Sequence, residues 1–489
     1  MKLRHIWIDG YKNLKQCKIA FDEQPLLNAV IGSNGSGKSN LIEAILHILI
    51  DVYLRTTTPF EFDFEYESQG RAVRLIGKER ILSIEVDGVT VPPSRFRRNL
   101  REGLAQIYYP QLTFVYYSGE CRRVRHLMNR YRRHFERLTR TADADKFRPL
   151  FVESTNEQSQ IILLSLVAHG HKEFLRLLGV NDVVDVSLVL RSPEGFNPEL
   201  HEPKLWNTEG AVRRVVAAID ETANVQETTR PDELNVEKTW DALGYRETRI
   251  YKFSDQIEGK TIRDLARRLV RSGDNLYVAF QYLTGPGILV SVDYRLRGSD
   301  SYFAFNQLSE GEKQLVAVVG ALRLSNQEDN LVLLDEPDTH LNPKWSWEYP
   351  TMLRDAFEDD QLSRTTVLMA THDPVMISGM TRDEVWLAQT SSPDVPMFTH
   401  PIRNPRGQGI ANLICSSEFF GLPSSLDKET QKLLDERLEI SLKEELSDGD
   451  KERLRELNEQ LEIIVKPGVS ERDPDYAEFL RQKYRRLEA

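Results

Sequence analysis

Two hydrophobic periods alternate along this chain, and the switches between them mark its elements. "LRHIWIDGY", "QCKIAFD" and "LLNAVIG" read as three strands, after which "KSNLIEAILHIL" takes the spacing of an amphipathic helix. "FEFDFEYES" and "AVRLIGKERILSIEVDGVTV" alternate with period two, and Asp87-Gly88 supplies a turn, so antiparallel strands are expected there. "LTFVYYSG", from Leu112 to Gly119, is a short continuous apolar run and predicts a buried strand. Between Gln160 and Leu308, helical stretches ("SQIILLSLVAHG", "EGAVRRVVAAID", "TIRDLARRLVR") mix with a few strands. Two more apolar strands follow, "NLVLLDEP" and "TTVLMATHDP", and the tail after Asn404 is polar and mainly helical. No heptad is sustained and no segment is of low complexity.

This pattern divides the chain into four parts. Residues 1–159 form an N-terminal lobe with a β subdomain, and 160–300 a helical and mixed insertion. Residues 301–403 form a C-terminal lobe, and 404–489 a helical tail. In the tail, Leu434, Leu438 and Leu442, then Leu454, Leu457, Leu461 and Ile464, recur at helical spacing around Ser447-Asp448-Gly449-Asp450. That predicts an antiparallel helical hairpin with a turn at those four residues, packed on its own domain or on a partner. "DPDYAEFLRQKYRRL" predicts a last amphipathic helix.

Composition narrows the class. At 489 residues and 40% hydrophobic content the chain can bury a large core, and its length suits about three domain-sized units. No apolar run approaches the roughly 18 residues of a membrane span, and "MKLRHIWIDG" lacks a signal-peptide core. Cys17, Cys121 and Cys415 form neither a disulfide framework nor a metal pattern. A cytoplasmic location with no membrane contact is therefore expected. The net charge of −11 argues against whole-surface attraction to nucleic acid, so any such contact needs a local basic patch. One exists in "CRRVRHLMNRYRRHFERLTR", with Tyr131 and Phe135 interleaved. Arginine suits phosphate recognition, which makes Arg122, Arg123, Arg125, Arg130, Arg132 and Arg133 candidate nucleic-acid contacts. Ion pairing coupled to the nucleotide site and a plain solvated face are the alternatives.

The chemistry concentrates in three places. Gly32, Ser33, Asn34, Gly35, Ser36, Gly37, Lys38 and Ser39 spell a phosphate loop between a strand and a helix, with Asn40 next in the helix. Its glycines let backbone N–H groups turn toward phosphate oxygens, the lysine reaches the β- and γ-phosphates, and the Ser39 hydroxyl can ligate Mg²⁺. Leu331 to Leu334 form a strand that delivers Asp335 to the metal and Glu336 to an attacking water. His372 ends the next strand.

The segment Leu308-Ser309-Glu310-Gly311-Glu312 resembles the signature motif of ABC-type ATPases. With the phosphate loop, Asp335-Glu336 and His372 in that order, the chain resembles the SMC/RecF/OLD branch of that superfamily. The resemblance implies an α/β fold: an ABC-type P-loop ATPase head with an antiparallel β subdomain, a helical insertion and a helical C-terminal tail. It implies ATP and Mg²⁺ as ligands, Glu336 and His372 as catalytic residues, and Ser309, Glu310 and Gly311 acting in trans across a head-to-tail homo-oligomer. Gln160 is the candidate for the metal-sensing glutamine between the lobes, and Lys12 and Asn13 for a turn beside the nucleotide. Asn342 stands where many relatives carry Asp. The insertion is too short for a long coiled-coil arm, and no TOPRIM, HNH or zinc pattern is present.

"YYSG", "LSEGEKQL", "LLDEPDTHLNPKWS", "MATHDPVMISGM" and "NPRGQGIANLI" together resemble the restriction-system-associated AAA-family ATPases, including those of Septu and retron anti-phage systems. That resemblance implies an ATPase, not itself a nuclease, that assembles into a multimer and controls a separate HNH nuclease subunit. The rival reading is a RecF-like repair ATPase that clamps DNA.

Overall fold

The computed structural model describes residues 1–21, 25–119, 121–139, 147, 149–180, 182–193, 204–229, 247–272, 274–284, 287–324, 329–357, 364–392, 395–443 and 446–464. The chain divides into two compact units, Met1–Gly409 and Ile410–Ala489. The predicted final helix, "DPDYAEFLRQKYRRL", lies outside the described residues.

A seven-stranded sheet organises the first unit. Its strands are β3 (Leu27–Ile31), β8 (Leu112–Tyr117), β9 (Phe151–Glu153), β15 (Asn330–Asp335), β16 (Thr366–Ala370), β17 (Val385–Ser392) and β18 (Val395–Thr399), in the order β18-β17-β3-β16-β15-β8-β9. All pair in parallel except the β17–β18 edge. Every residue of β3, β15 and β16 is buried. Strands covered on both faces read as unbroken apolar runs, which is why "LNAVI", "NLVLLD" and "TVLMA" do not alternate. Parallel pairing also brings the C-terminal ends of β3, β15, β16 and β8 to one edge. There the chain leaves β3 for the phosphate loop and enters helix α1 (Lys38–Leu54), which packs against β15 and β16. Most of α1 is buried, including Glu43 and Asp51.

Two antiparallel sheets flank this platform. The first comprises β1 (Lys2–Asp9), β2 (Cys17–Ala20), β4 (Glu61–Ser68), β5 (Arg71–Lys78), β6 (Ile81–Val86) and β7 (Val89–Thr90), in the order β2-β1-β4-β5-β6-β7. In β4 the alternation is complete: Phe62, Phe64, Tyr66 and Ser68 point inward. The expected turn forms at Asp87-Gly88, with φ 52° and 76°. A second tight turn, at Glu79-Arg80 with φ 48° and 65°, divides the segment read as continuous into β5 and β6.

The second flanking sheet, β11 (Val225–Thr229), β12 (Thr248–Ser254), β10 (Val183–Arg191), β13 (Leu289–Leu296) and β14 (Phe303–Ala304), in the order β11-β12-β10-β13-β14, extends past the boundary expected for the insertion at residue 300. It accompanies helix α4 (Asn156–His169), which is buried from Gln158 to Ala168 except at the half-buried Gln160. The remaining numbered helices are α2 (Pro93–Arg101) and α3 (Arg122–Thr139).

The second unit contains the helical hairpin, Lys428–Ser441 and Asp448–Ile464. Its turn differs from the expected one. Ser447 caps the second helix and Asp450 closes a reciprocal cap on the Ser447 N–H at 3.0 Å, so Asp448, Gly449 and Asp450 form the first helical turn. Leu457 and Leu461 are buried, whereas Leu438 and Leu442 are 50% and 69% exposed.

Candidate functional site

The phosphate loop is shaped by glycines that no other residue could replace without rearrangement. Gly32 has φ 154°, and a Cβ there would collide with the carbonyl of Ala388 on β17. Gly37 adopts φ 100° as it caps α1, a conformation that costs an L side chain about 1–2 kcal/mol. Lys38 is buried, and its Nζ donates to the carbonyls of Gly32 at 2.8 Å and Ser33 at 3.0 Å. Burial lowers its pKa, opposed by Glu336 and Asp335. The Ser36 Oγ is buried with no hydrogen-bond partner among the described residues, a polar atom that a phosphate oxygen would satisfy.

Lys12 and Asn13 lie beside this loop. Asn13 donates to the Gly35 carbonyl at 2.7 Å and accepts from Asn40 at 2.7 Å, while Lys12 donates to Asn40 at 2.8 Å. Lys12 also pairs with Glu43. The β1–β2 turn thereby braces the start of α1.

Asp335 ends β15, facing Ser39. Burial is the main cause that raises the Asp335 pKa to about 6, with the neighbouring Ser39 hydroxyl opposing it. Its Oδ1 is buried without a hydrogen-bond partner. A buried carboxylate oxygen lacking a donor, next to a hydroxyl, is a donor set that suits Mg²⁺ shared with nucleotide phosphates.

Glu336 follows with φ 49°, a strained conformation for a non-glycine residue. It is held by its N–H to the Ala370 carbonyl at 2.8 Å and by Thr339 Oγ1 on its own carbonyl at 3.0 Å. This kink turns the carboxylate out of the sheet to His372, whose Nε2 lies 3.2 Å from Oε1. Burial, followed by Lys38, lowers the His372 pKa, which favours the neutral ring.

Gln160 is not part of this cluster. Its Oε1 accepts from the Val292 N–H at 3.1 Å and its carbonyl from Tyr294 at 3.2 Å, so the amide side chain braces β13. The position opposite Asp335 in the β8–β15 register belongs to Tyr117. Its hydroxyl donates to Glu43 at 3.0 Å. Pattern reading missed Tyr117 because it ends an apolar run as one more aromatic. Its place at the C-terminal end of a strand parallel to β15 was the available signal.

The signature segment begins a helix, Glu310–Leu315, with Ser309 as N-cap in a reciprocal box with Glu312. Ser309 and Glu310 are exposed. Gly311 is buried, and a Cβ there would lie 2.8 Å from the His340 carbonyl. Its lack of a side chain therefore serves packing against this chain's own loop after Glu336. Asn342 caps the helix Pro343–Arg354, its Oδ1 accepting from Trp345 N at 3.0 Å, a role Asn and Asp fill equally well.

The arginine-rich helix α3 is largely built into the protein. Arg123 pairs with Glu43 at 3.2 Å, Arg130 with Asp51 at 3.0 Å and Thr56 at 2.8 Å, and Arg132 with Glu153 at 3.5 Å. Glu43 and Asp51 are each about 1% exposed, and buried carboxylates require such partners. Tyr131 and Phe135 are core residues, stacked at 6.0 Å, and do not offer faces to a base. Arg122, Arg123, Arg125 and Arg133 are exposed, Arg123 reaching Glu43 from the surface.

A phosphate loop, a buried carboxylate against its serine, and a Glu–His pair on the same sheet edge define a P-loop ATPase of the AAA/ABC type. Residues 27–378 match the family described as "AAA domain, putative AbiEii toxin, Type IV TA system", and the chain belongs to that family. It is similar to Septu protein PtuA of Bacillus mycoides (strain KBAB4), at 27% identity over 131 residues, 25% of this chain and 18% of that protein. It is also similar to "Retron Vc95 probable ATPase" of Vibrio cholerae serotype O1 biovar El Tor, at 25% identity over 154 residues, 29% of each chain. The matches thus span less than a third of these relatives' lengths. Among solved structures, the SMC head domain from Thermotoga maritima aligns with a TM-score of 0.33 and 13% identity, covering 82% of this chain and 99% of that one.

Proposed function

We propose that this protein is an ATP-binding and ATP-hydrolysing regulatory subunit of an anti-phage defence complex, controlling a separate HNH nuclease. The observation that carries the ATPase part is the convergence of Lys38, Ser39, Asp335, Glu336 and His372 at one sheet edge. Lys38 would leave its loop carbonyls for the β- and γ-phosphates. Ser39 and Asp335 would hold Mg²⁺, which neutralises phosphate charge when bound. Glu336 would take a proton from the attacking water, with neutral His372 orienting the carboxylate and facing the γ-phosphate. Tyr117, opposite Asp335 in the strand register, holds Glu43 at the site. The exposed Ser309 and Glu310 would complete the site of a second copy, head to tail. The defence assignment is supported by the similarity to the Septu and retron ATPases.

Replacing Glu336 by Gln removes the base but leaves the metal-facing groups. Single-turnover assays on Glu336→Gln should show bound ATP with turnover reduced at least 100-fold, while Lys38→Ala should lose nucleotide binding. Wild-type turnover in Glu336→Gln would overturn the base assignment. Co-purification with the HNH protein of a neighbouring gene, and nuclease activity that follows nucleotide state, tests the regulatory part. The purified ATPase alone should leave plasmid DNA intact.

A further inference from the structure

The basic surface best placed to receive a polyanion is not the arginine-rich helix α3 but a groove in the insertion. The helix Ile262–Arg271 carries Arg263, Arg267 and Arg271 at i, i+4 and i+8, all exposed. Four residues of α-helix rise about 6 Å and turn only 40° beyond a full circle, so the three guanidinium groups form a nearly straight stripe about 12 Å long. The end of α4, with His169, and the start of the next helix, with Lys172, face this stripe across an open groove of about 570 Å³. No acidic residue lines the groove. The nearest carboxylate on the helix, Asp264, is committed to the Thr261 cap and reaches Arg267 at 3.2 Å, an exposed pair that contributes little. Arg263, Arg271 and Lys172 have no side-chain ion pair or hydrogen bond among the described residues.

We infer that this groove is a docking surface for the phosphodiester backbone of duplex DNA. Concentrated positive charge in a chain of net charge −11 requires a local reason, and guanidinium forks pair with phosphate. The ~6 Å repeat approximates two phosphate steps of about 3.4 Å axial rise along one strand. The floor argues for duplex over other nucleic acids. Besides its basic residues and His169, the lining consists of Ala168, Gly170, Ala266 and Val270, with no Phe, Tyr or Trp, whereas single strands are held by stacking on such rings. Apart from His169, the lining also has no side chain able to accept from the 2′-OH that marks RNA. Binding here would follow phosphate geometry and not base sequence.

The test is fluorescence anisotropy with the full chain, using a labelled 30-base-pair DNA duplex, its single strand and an RNA duplex, titrated from about 50 to 200 mM salt. Arg263→Ala/Arg267→Ala/Arg271→Ala should weaken duplex DNA binding at least 30-fold and make the log–log salt slope shallower by about 2.7, at 0.9 per lost phosphate contact. ATP binding and thermal melting should stay at wild-type values, and the triple Lys variant should restore most of the affinity. Arg122→Ala/Arg133→Ala should change duplex affinity less than threefold. The inference fails if the triple Ala variant binds like wild type or wild type does not bind the duplex. It also fails if single strand or RNA is preferred, or if the Arg122/Arg133 variant carries the loss.

Discussion

Asp335 shows how one residue's burial serves binding at the expense of stability. Its folded pKa of about 6 lies above the ordinary 3.8, so between these values the folded state binds the proton more tightly than the unfolded state. The ionised carboxylate therefore destabilises the ligand-free protein at pH 7, and that penalty fades as pH falls through 6 toward 4. Asp335→Asn removes it. Differential scanning fluorimetry of the ligand-free protein should find Asp335→Asn melting above wild type at pH 7.5, the gap shrinking by pH 5. With Mg²⁺ and ATP the order should reverse, because the wild-type carboxylate gains its partner. An identical gap at both pH values would mean that the carboxylate is not held in a penalising environment. Tyr117 and Glu336 follow the same logic: one places a phenol in a carboxylate cluster and the other holds a strained φ, and both serve the site's geometry.

At the scale of elements, α3 is the instructive case. Its sequence looks like a polyelectrolyte face, yet its apolar side is core and half of its candidate contacts neutralise buried acids of α1, β9 and their surroundings. Tyr131 also accepts no free role, since its hydroxyl receives the Leu150 N–H at 2.8 Å. Tyr131→Ala should cost roughly 3–5 kcal/mol in urea unfolding, whereas Arg133→Ala, exposed and outside these pairs, should stay within about 0.5 kcal/mol. Near-equal effects would contradict the packing described for α3. The helical hairpin teaches a parallel lesson. Ser447-Asp448-Gly449-Asp450 has turn composition, but a Ser with an acid three residues later is equally a helix start, and Lys443 adds an ion pair to Asp450 at 2.6 Å.

At the scale of the whole molecule, the signature segment is the part that the proposed head-to-tail arrangement gives to a second copy. Ser309 and Glu310 are exposed while the glycine beside them is locked against the His340 carbonyl, so the segment is rigidly presented outward. In the Glu336→Gln background, mass photometry should show ATP-dependent dimers. Adding Ser309→Arg should return the mass to the monomer while stoichiometric ATP binding persists. Undiminished dimers in the double variant would eliminate the head-to-tail arrangement.

The sequence by itself determined the strands that carry the chemistry and the residues at their ends. Apolar runs long enough to bury on both faces, a glycine-rich loop entering a helix, and carboxylates at a strand terminus are local signals, set by backbone sterics and side-chain burial. Lys12 and Asn13 were legible for the same reason, being a turn between two readable strands. Only the tertiary structure decided which side chains meet. Gln160 spends its amide on β13, Tyr117 takes the place beside Asp335, and three arginines of α3 are committed to Glu43, Asp51 and Glu153. Gly311 answers to a carbonyl nearly thirty residues away. These outcomes depend on strand order, since β8 and β15 are far apart in the chain but hydrogen-bonded in register. No window of sequence contains that pairing, and the desolvation of a buried charge is settled only by the partner the fold brings to it.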